Sequence, residues 1–237
     1  MKVPNISVVV AAFNEEKYLT ACLSSIVNQE YPKDKFDITV VDNNSTDNTA
    51  QISREFGVNV VEEKKQGNTF ALRKGMGDAR GDIIAVTDAD SQVPPNWLLL
   101  ISKAFENPEI VAVTGRANVD IEPRMVGTLM SAFYTGFINL SSWFGKPNLS
   151  GFNLAVRRDA FLKVGGINPL FAMSPDVELG LRLKKVGKIK IVNGLCVLTS
   201  GRRWKSGFAP ALWEYAKGYV YANWLHRPPP IKQKIIR

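Results

Sequence analysis

Histidine is nearly missing from this 237-residue chain: the single one, His226, stands in a Pro-rich stretch near the end. A histidine–zinc site and a Ser-His-Asp triad are thereby excluded. Cysteine is almost as scarce. Cys22 and Cys196 make no disulfide framework and stand in no metal-ligand spacing, so a reducing, cytoplasmic setting fits best. No repeat or low-complexity block interrupts a composition that is 45% hydrophobic and 22% charged, that of a globular chain with a sizeable core. The first apolar run, ISVVVAAF, is too short for a signal peptide and meets Glu15 and Glu16 at once. The one long uncharged span, MVGTLMSAFYTGFINLSSWFG at 125–145, has the length to cross a bilayer. However, Thr128, Ser131, Thr135, Asn139, Ser141 and Ser142 dilute it and three glycines weaken it as a helix. The expectation is a helix buried against the core or lying at a membrane interface.

Acidic residues are also missing from the C-terminal end. Residues 202–237 carry eight Lys/Arg against Glu214 alone, whereas 1–201 are nearly balanced, with 22 basic and 21 acidic residues. Trp204, Phe208, Trp213, Tyr215, Tyr219, Tyr221 and Trp224 are interleaved with that charge. Such a mixture suits an anionic membrane surface or nucleic acid, and it is also what a solvated basic helix face looks like.

What is present is a rhythm. Residues 6–12 (ISVVVAA) read as a buried strand, followed by a helix capped by Asn14 with Glu15 and Glu16 in its first turn. Leu19, Cys22, Leu23, Ile26 and Val27 form its apolar face. Strands at 37–41, 58–62 and 82–87 alternate with helices at 46–56, 69–79 and 96–105, the second helix starting at Ser45 or Thr46 and stopping at Gly57. This alternation predicts an α/β fold, a Rossmann-like, mostly parallel sheet with helices on both faces. After residue 107 the pattern loosens into a strand at 110–117, the uncharged span and a helix at 176–186. The reading is one domain over 1–205, with a nucleotide-binding half at 1–107 and an acceptor half at 108–205, then a basic aromatic segment at 206–237.

Ligands of open parallel sheets bind outside the carboxyl ends of the strands. Phe13-Asn14-Glu15, Asp42-Asn43-Asn44 and Asp88-Ala89-Asp90 all stand at such ends, which predicts that they meet along one edge. Two carboxylates one residue apart repel each other unless a positive charge lies between them. Hard oxygen donors with no His or Cys nearby select Mg²⁺ or Mn²⁺, with Gln92 as a neutral oxygen. Mg²⁺ so held completes its shell with phosphate oxygens, so a phosphorylated ligand follows. The plain alternative is that Asp88 and Asp90 cap the next turn.

SVVVAAFNEEKYLTACLSSIVNQ, ITVVDNNSTDNTAQI and GDIIAVTDADSQVPPNWL, in this order and spacing, resemble the family-2 glycosyltransferases of the GT-A fold over about residues 5–205. The resemblance implies that Ala11, Phe13, Glu15 and Arg73 line the nucleotide, and that Asp42 accepts from its base. Asp88, Asp90 and Gln92 would hold the metal on the diphosphate. DADSQVPP is similar to the dolichyl-phosphate mannose synthase branch. SPDVELGLRLKKVG is similar to the family's acidic motif, with Pro175 in place of a glutamate, Asp176 matching the catalytic base and Glu178 the later acid. Asp176 could instead cap a helix or pair with Arg182 or Lys184. TSGRRWKSG resembles the family's Arg-Trp element, placing Arg203 and Trp204 beside diphosphate and acceptor. It lacks the leading glutamine of processive synthases. Gly151 would line the acceptor side, or simply make a core turn. The implied activity is inverting, metal-dependent transfer from a UDP- or GDP-sugar to an acceptor hydroxyl, on a lipid-linked glycan with peripheral membrane contact. The alternatives are a polyprenyl-phosphate acceptor or a nucleotide- or nucleic-acid-binding module. That last reading leaves the acidic clusters unexplained.

Overall fold

The computed structural model describes residues 3–146, 148–202, 213, 216–225 and 227–228. Its strands are β1 (Ile6–Ala12), β2 (Phe36–Asp42), β3 (Asn59–Glu62), β4 (Ile83–Asp88), β5 (Ser91–Gln92), β6 (Ile110–Asp120), β7 (Leu154–Arg157) and β8 (Lys188–Ser200). Its helices are α1 (Leu19–Val27), α2 (Thr49–Glu55), α3 (Asn68–Asp78), α4 (Trp97–Ala104), α5 (Arg124–Trp143), α6 (Arg158–Lys163) and α7 (Pro175–Leu183). The strands form one sheet in the order β3-β2-β1-β4-β7-β6-β8-β5. β1 to β4 pair in parallel, and β7 runs antiparallel to both β4 and β6.

Strand side chains alternate faces, and here both faces are apolar because both are covered. Ile6, Val8, Val10 and Ala12 of β1 join Ile83 and Ala85 of β4 in a core closed by Leu23 and Ile26 of α1 and Trp97 and Ile101 of α4. Val9, Ile84 and Val86 point the other way, onto Leu72 and Met76 of α3, Phe161 of α6 and Leu179 and Leu183 of α7. Helix α3 approaches the sheet so closely that a Cβ on Gly75 would lie 2.5 Å from Val9 Cγ1 and 2.7 Å from Val41 Cγ2.

Two helix starts differ from expectation. Helix α1 begins at Leu19, with Tyr18 rather than Asn14 at its N-cap, because Asn14 is spent on a loop described below. Helix α2 begins at Thr49, whose N–H donates to Asp47 Oδ1 at 3.0 Å, and it ends at Gly57 as expected (φ 69°). The uncharged span is α5. Its inner face, Gly127, Met130, Ile138 and Ser141, is buried, and its outer face is not. Among the described residues no helix is long and apolar enough to cross a membrane.

Candidate active site at the strand ends

In register, Ala11 of β1 stands opposite Asp88 of β4, and Ala12 stands opposite Asp42 of β2. The three strand ends are therefore level, and the acidic clusters share one edge of the sheet. The loops beyond them are tied together. Asn14 and Asn44 take left-handed conformations (φ 54° and 70°), which asparagine tolerates better than most residues. From there Asn14 Oδ1 accepts the Thr46 N–H at 2.8 Å, and the Asn14 N–H donates to Ser45 Oγ at 3.0 Å. The Glu15 N–H donates to Thr49 Oγ1 at 2.8 Å, and Glu16 Oε2 accepts from Asn48. Asp42, buried at the floor, accepts the Ser45 N–H at 3.1 Å. Its neighbour Asn43 donates to the Glu63 and Lys65 carbonyls and accepts the Gly67 N–H, so one side chain anchors the β3–α3 loop. These ties join the loops after β1, β2 and β3 into one rim.

A positive charge, Arg202, reaches Asp90 and Glu15 at this edge. Its Nη1 donates to Glu15 Oε2 at 2.8 Å, its Nη2 to Glu15 Oε1, and its Nε lies 2.9 Å from Asp90 Oδ2. The guanidinium stacks on the Tyr18 ring, 5.0 Å from the centroid. The end of β8 delivers it there: Thr199 pairs with Ser91, and the Ser200 N–H donates to the Asp90 carbonyl at 3.2 Å. All three charged side chains are deeply placed, at 21% exposure for Arg202, 10% for Glu15 and 11% for Asp90. Burial raises the pKa of Glu15, against the pull of Arg202. Burial also opposes the charge on Arg202, but Glu15 and Asp90 outweigh it and raise its pKa.

Arg203 was expected beside the diphosphate and acceptor; the arginine that pairs with the acidic edge, Arg202, precedes it directly and was not singled out. The doubled arginine of TSGRRW was the available signal. Arg203 and Trp204 lie outside the described residues. Among the described residues no three His, Cys, Asp or Glu side chains close into a metal cage. The donor set at β4 is two carboxylates with Gln92 exposed two residues on, and a cation, the Arg202 guanidinium, already sits on Asp90. All-oxygen donors with few protein ligands suit Mg²⁺ or Mn²⁺ shared with phosphates.

A second carboxylate is fixed independently. Asp176 lies in the first turn of α7, whose N-cap is Ser174. Its Oδ2 accepts the Gly151 N–H at 2.7 Å and its Oδ1 accepts the Val177 N–H at 2.9 Å. Arg182 instead makes a bidentate pair with Glu178, at 2.7 and 2.6 Å, and Lys184 donates to the Gly145 carbonyl. Both acids of α7 thus have partners, Glu178 on Arg182 and Asp176 on backbone amides at the helix start and at Gly151. Gly151 supplies an amide donor, and a Cβ there would meet Asp176 Oδ2 at an ordinary 3.5 Å. Phe13 and Ala11 are half-buried at the end of β1. Arg73 stands on the exposed side of α3, lining one groove with Gly165, Asn168 and Arg182 and another with Glu63, Lys65 and Phe70.

A mostly parallel sheet with level acidic strand ends and a mixed second half, in which β6 and β8 pair in parallel while β7 and β5 run antiparallel to their neighbours, defines the architecture of GT-A glycosyltransferases. The Glycosyl transferase family 2 model matches residues 7–165, and this chain belongs to that family. It is 31% identical over 209 residues to the probable glycosyltransferase YdaM of Bacillus subtilis, covering 78% of this chain and 48% of that protein. It is 30% identical over 200 residues to a beta-monoglucosyldiacylglycerol synthase of Nostoc sp., covering 76% of this chain and 41% of that one. The chain therefore spans about half the length of the curated relatives it matches. In fold it is similar to the mannosyltransferase PcManGT from Pyrobaculum calidifontis, solved in complex with GDP-Man and Mn²⁺. The TM-score is 0.78 at 23% identity, over 98% of this chain and 68% of that one.

Proposed function

We propose that this chain transfers a glycosyl group, with inversion, from a UDP- or GDP-sugar to an acceptor hydroxyl carried on a lipid-linked glycan at the cytoplasmic face of a membrane. The observation that carries this reading is the pairing of a charged, pre-tied edge at β1, β2 and β4 with a separately anchored carboxylate at Asp176. Asp42 accepts from the base, and Ala11, Phe13 and Glu15 line the nucleotide, with Arg73 at its outer side. Asp88, Asp90 and Gln92 would hold Mg²⁺ or Mn²⁺, as the Mn²⁺ complex of a structural neighbour encourages. Such a metal supplies positive charge to the departing diphosphate. Arg202 adds a permanent positive charge at the same edge, and by the family resemblance Arg203 and Trp204 would act on the diphosphate and acceptor. As the anomeric carbon leaves the diphosphate oxygen, the acceptor oxygen bonds to it from the opposite face. Asp176 takes the acceptor's proton, and the nucleoside diphosphate departs. Residues 1–205 make up the catalytic domain in this reading, with the nucleotide half at 1–107 and the acceptor half at 108–205, before the basic aromatic segment 206–237.

A polyprenyl-phosphate acceptor is the second reading, favoured by the similarity of DADSQVPP to dolichyl-phosphate mannose synthases. An acceptor phosphate is already an anion and needs no base, so the anchored Asp176 favours the hydroxyl. The test is Asp176→Asn, which keeps the size of the side chain and one acceptor oxygen but removes the charge and one of the two amide contacts. Hydroxyl transfer should fall by roughly 10²–10⁴ with donor binding retained. Unchanged transfer would remove Asp176 from the role of base, and loss of donor binding as well would make its role structural.

A further inference from the structure

Helix α5 has a second apolar face that is exposed among the described residues. Met125, Leu129, Phe133, Leu140 and Trp143 fall within about 80° of one another at 100° per residue, opposite the buried face. With Phe144 they are between 56% and 79% exposed, along a stripe roughly 27 Å long. An apolar patch of that extent on a soluble surface marks an interaction site.

The stripe continues onto a neighbouring segment. The Phe137 and Tyr219 rings meet edge to face at 5.0 Å, and Lys146 Nζ donates to the Asn223 carbonyl at 2.8 Å while lying over the Trp224 ring. Trp224, Leu225 and Val220 are exposed beside it, and Lys217 sits over the exposed Trp213 ring at 4.7 Å. Residues 124–146 and 216–225 contain Arg124, Lys146 and Lys217 and no acidic residue. Glu122, 3.9 Å from Arg124, is the nearby counter-charge. Apolar residues flanked by tryptophans and cations, with acids only at the margins (Glu122, and Glu214 next to Trp213 in sequence), match the layering of an anionic bilayer: acyl chains beneath, aromatic rings at headgroup depth, and cations at the phosphates.

We infer that the outer face of α5, with residues 216–225, docks on an anionic lipid surface. The inner face of the same helix seats the acceptor side of the site. The Tyr134 hydroxyl bonds to that of Ser150, and its ring lies 5.5 Å from Phe152. Gly151, between those two residues, holds Asp176. Docking therefore puts α5 between the lipid surface and the segment 150–152 that holds Asp176. The surface stands on exposure and charge alone. Its consequence, that the acceptor is drawn from the bilayer, rests on the transferase reading above.

The test is flotation of the full chain with phosphatidylcholine vesicles, with and without phosphatidylglycerol. Binding is expected only to the anionic vesicles and should weaken with salt. It should fall about tenfold or more in Leu129→Ser/Phe133→Ser/Trp143→Ser, whose exposed positions leave the core intact. Donor-induced thermal stabilisation should be the same in both proteins, so a failed docking surface and a failed transferase give different patterns. No flotation, equal flotation of the triple variant, or equal binding to neutral vesicles would overturn the inference. So would self-association that the triple substitution abolishes, which would give the face to a second copy of the chain.

Discussion

The two halves of this sheet are built by different means. From β1 to β4, each strand is a short run of β-branched residues and each helix returns beside it, with β2 joining its sequence neighbours β1 and β3 and only β1–β4 pairing at long range. The loops then tie to each other through Asn14, Asn43, Asp47 and Thr49. From β6 onward, direction comes from distant partners. The buried Asn153 side chain accepts from Trp97 Nε1 at 3.0 Å and donates to the Arg116 and Leu195 carbonyls, joining α4, β6 and β8 around β7. Arg157 reaches back to the carbonyls of Phe105 and Ile110, and Arg202 closes onto Glu15, 187 residues earlier. The first half is held by local pattern, the second by single polar side chains. Each such side chain is therefore a point of large energetic leverage.

The sharpest way to break the comparison is at Arg202. Arg202→Met should leave Glu15 and Asp90 buried without their counter-charge and cost about 3–5 kcal/mol, measured by urea unfolding. Glu15→Gln in the same chain should recover part of that loss. Asn153→Leu removes three buried hydrogen bonds and strands one donor and two acceptors. A cost of about 3 kcal/mol or more is expected in the same measurement. In the first half, Gly75→Ala should cost about 1–3 kcal/mol through overpacking against Val9 and Val41. Exposed positions on α3, such as Gly77, with open space around the Cβ position, should tolerate alanine.

The smallest effect is a pH slope. The raised pKa of Glu15 means that its stabilising contribution is complete below the ordinary glutamate value, where it is protonated in both states. The contribution is lost as pH rises through the folded value. Asp47 in the adjoining loop runs the other way. Its pKa is lowered: desolvation opposes the shift, but hydrogen bonds from Thr49 and the Glu16 and Asp47 amides prevail, so its contribution is lost on acidification. Glu15→Gln should remove the first slope from a stability–pH curve and leave the second.

The same contrast decides what could be read from the residues beforehand. Alternating strands and helices, the parallel sheet and its acidic strand ends were legible because periodicity and turn residues act locally. The cap assigned to Asn14 was misplaced because its side chain answers a backbone N–H 32 residues away. The short β5 was illegible for the same reason, since it exists only by pairing with the end of β8, and the same pairing decides which arginine of TSGRRW reaches the acidic edge. Span 125–145 was ambiguous for a physical reason as well: α5 is apolar on both faces, and only packing distinguishes the buried one.

The central claim is that this acidic edge receives a nucleoside diphosphate together with a divalent cation. It is tested most directly by thermal unfolding with UDP or GDP, each with and without Mn²⁺. One nucleotide should stabilise the protein only when the metal is present, by about 2.7 kcal/mol at a hundredfold excess over Kd, and Asp88→Asn/Asp90→Asn should abolish the effect. No stabilisation by either nucleotide with metal, or an equal shift in the double variant, would contradict it.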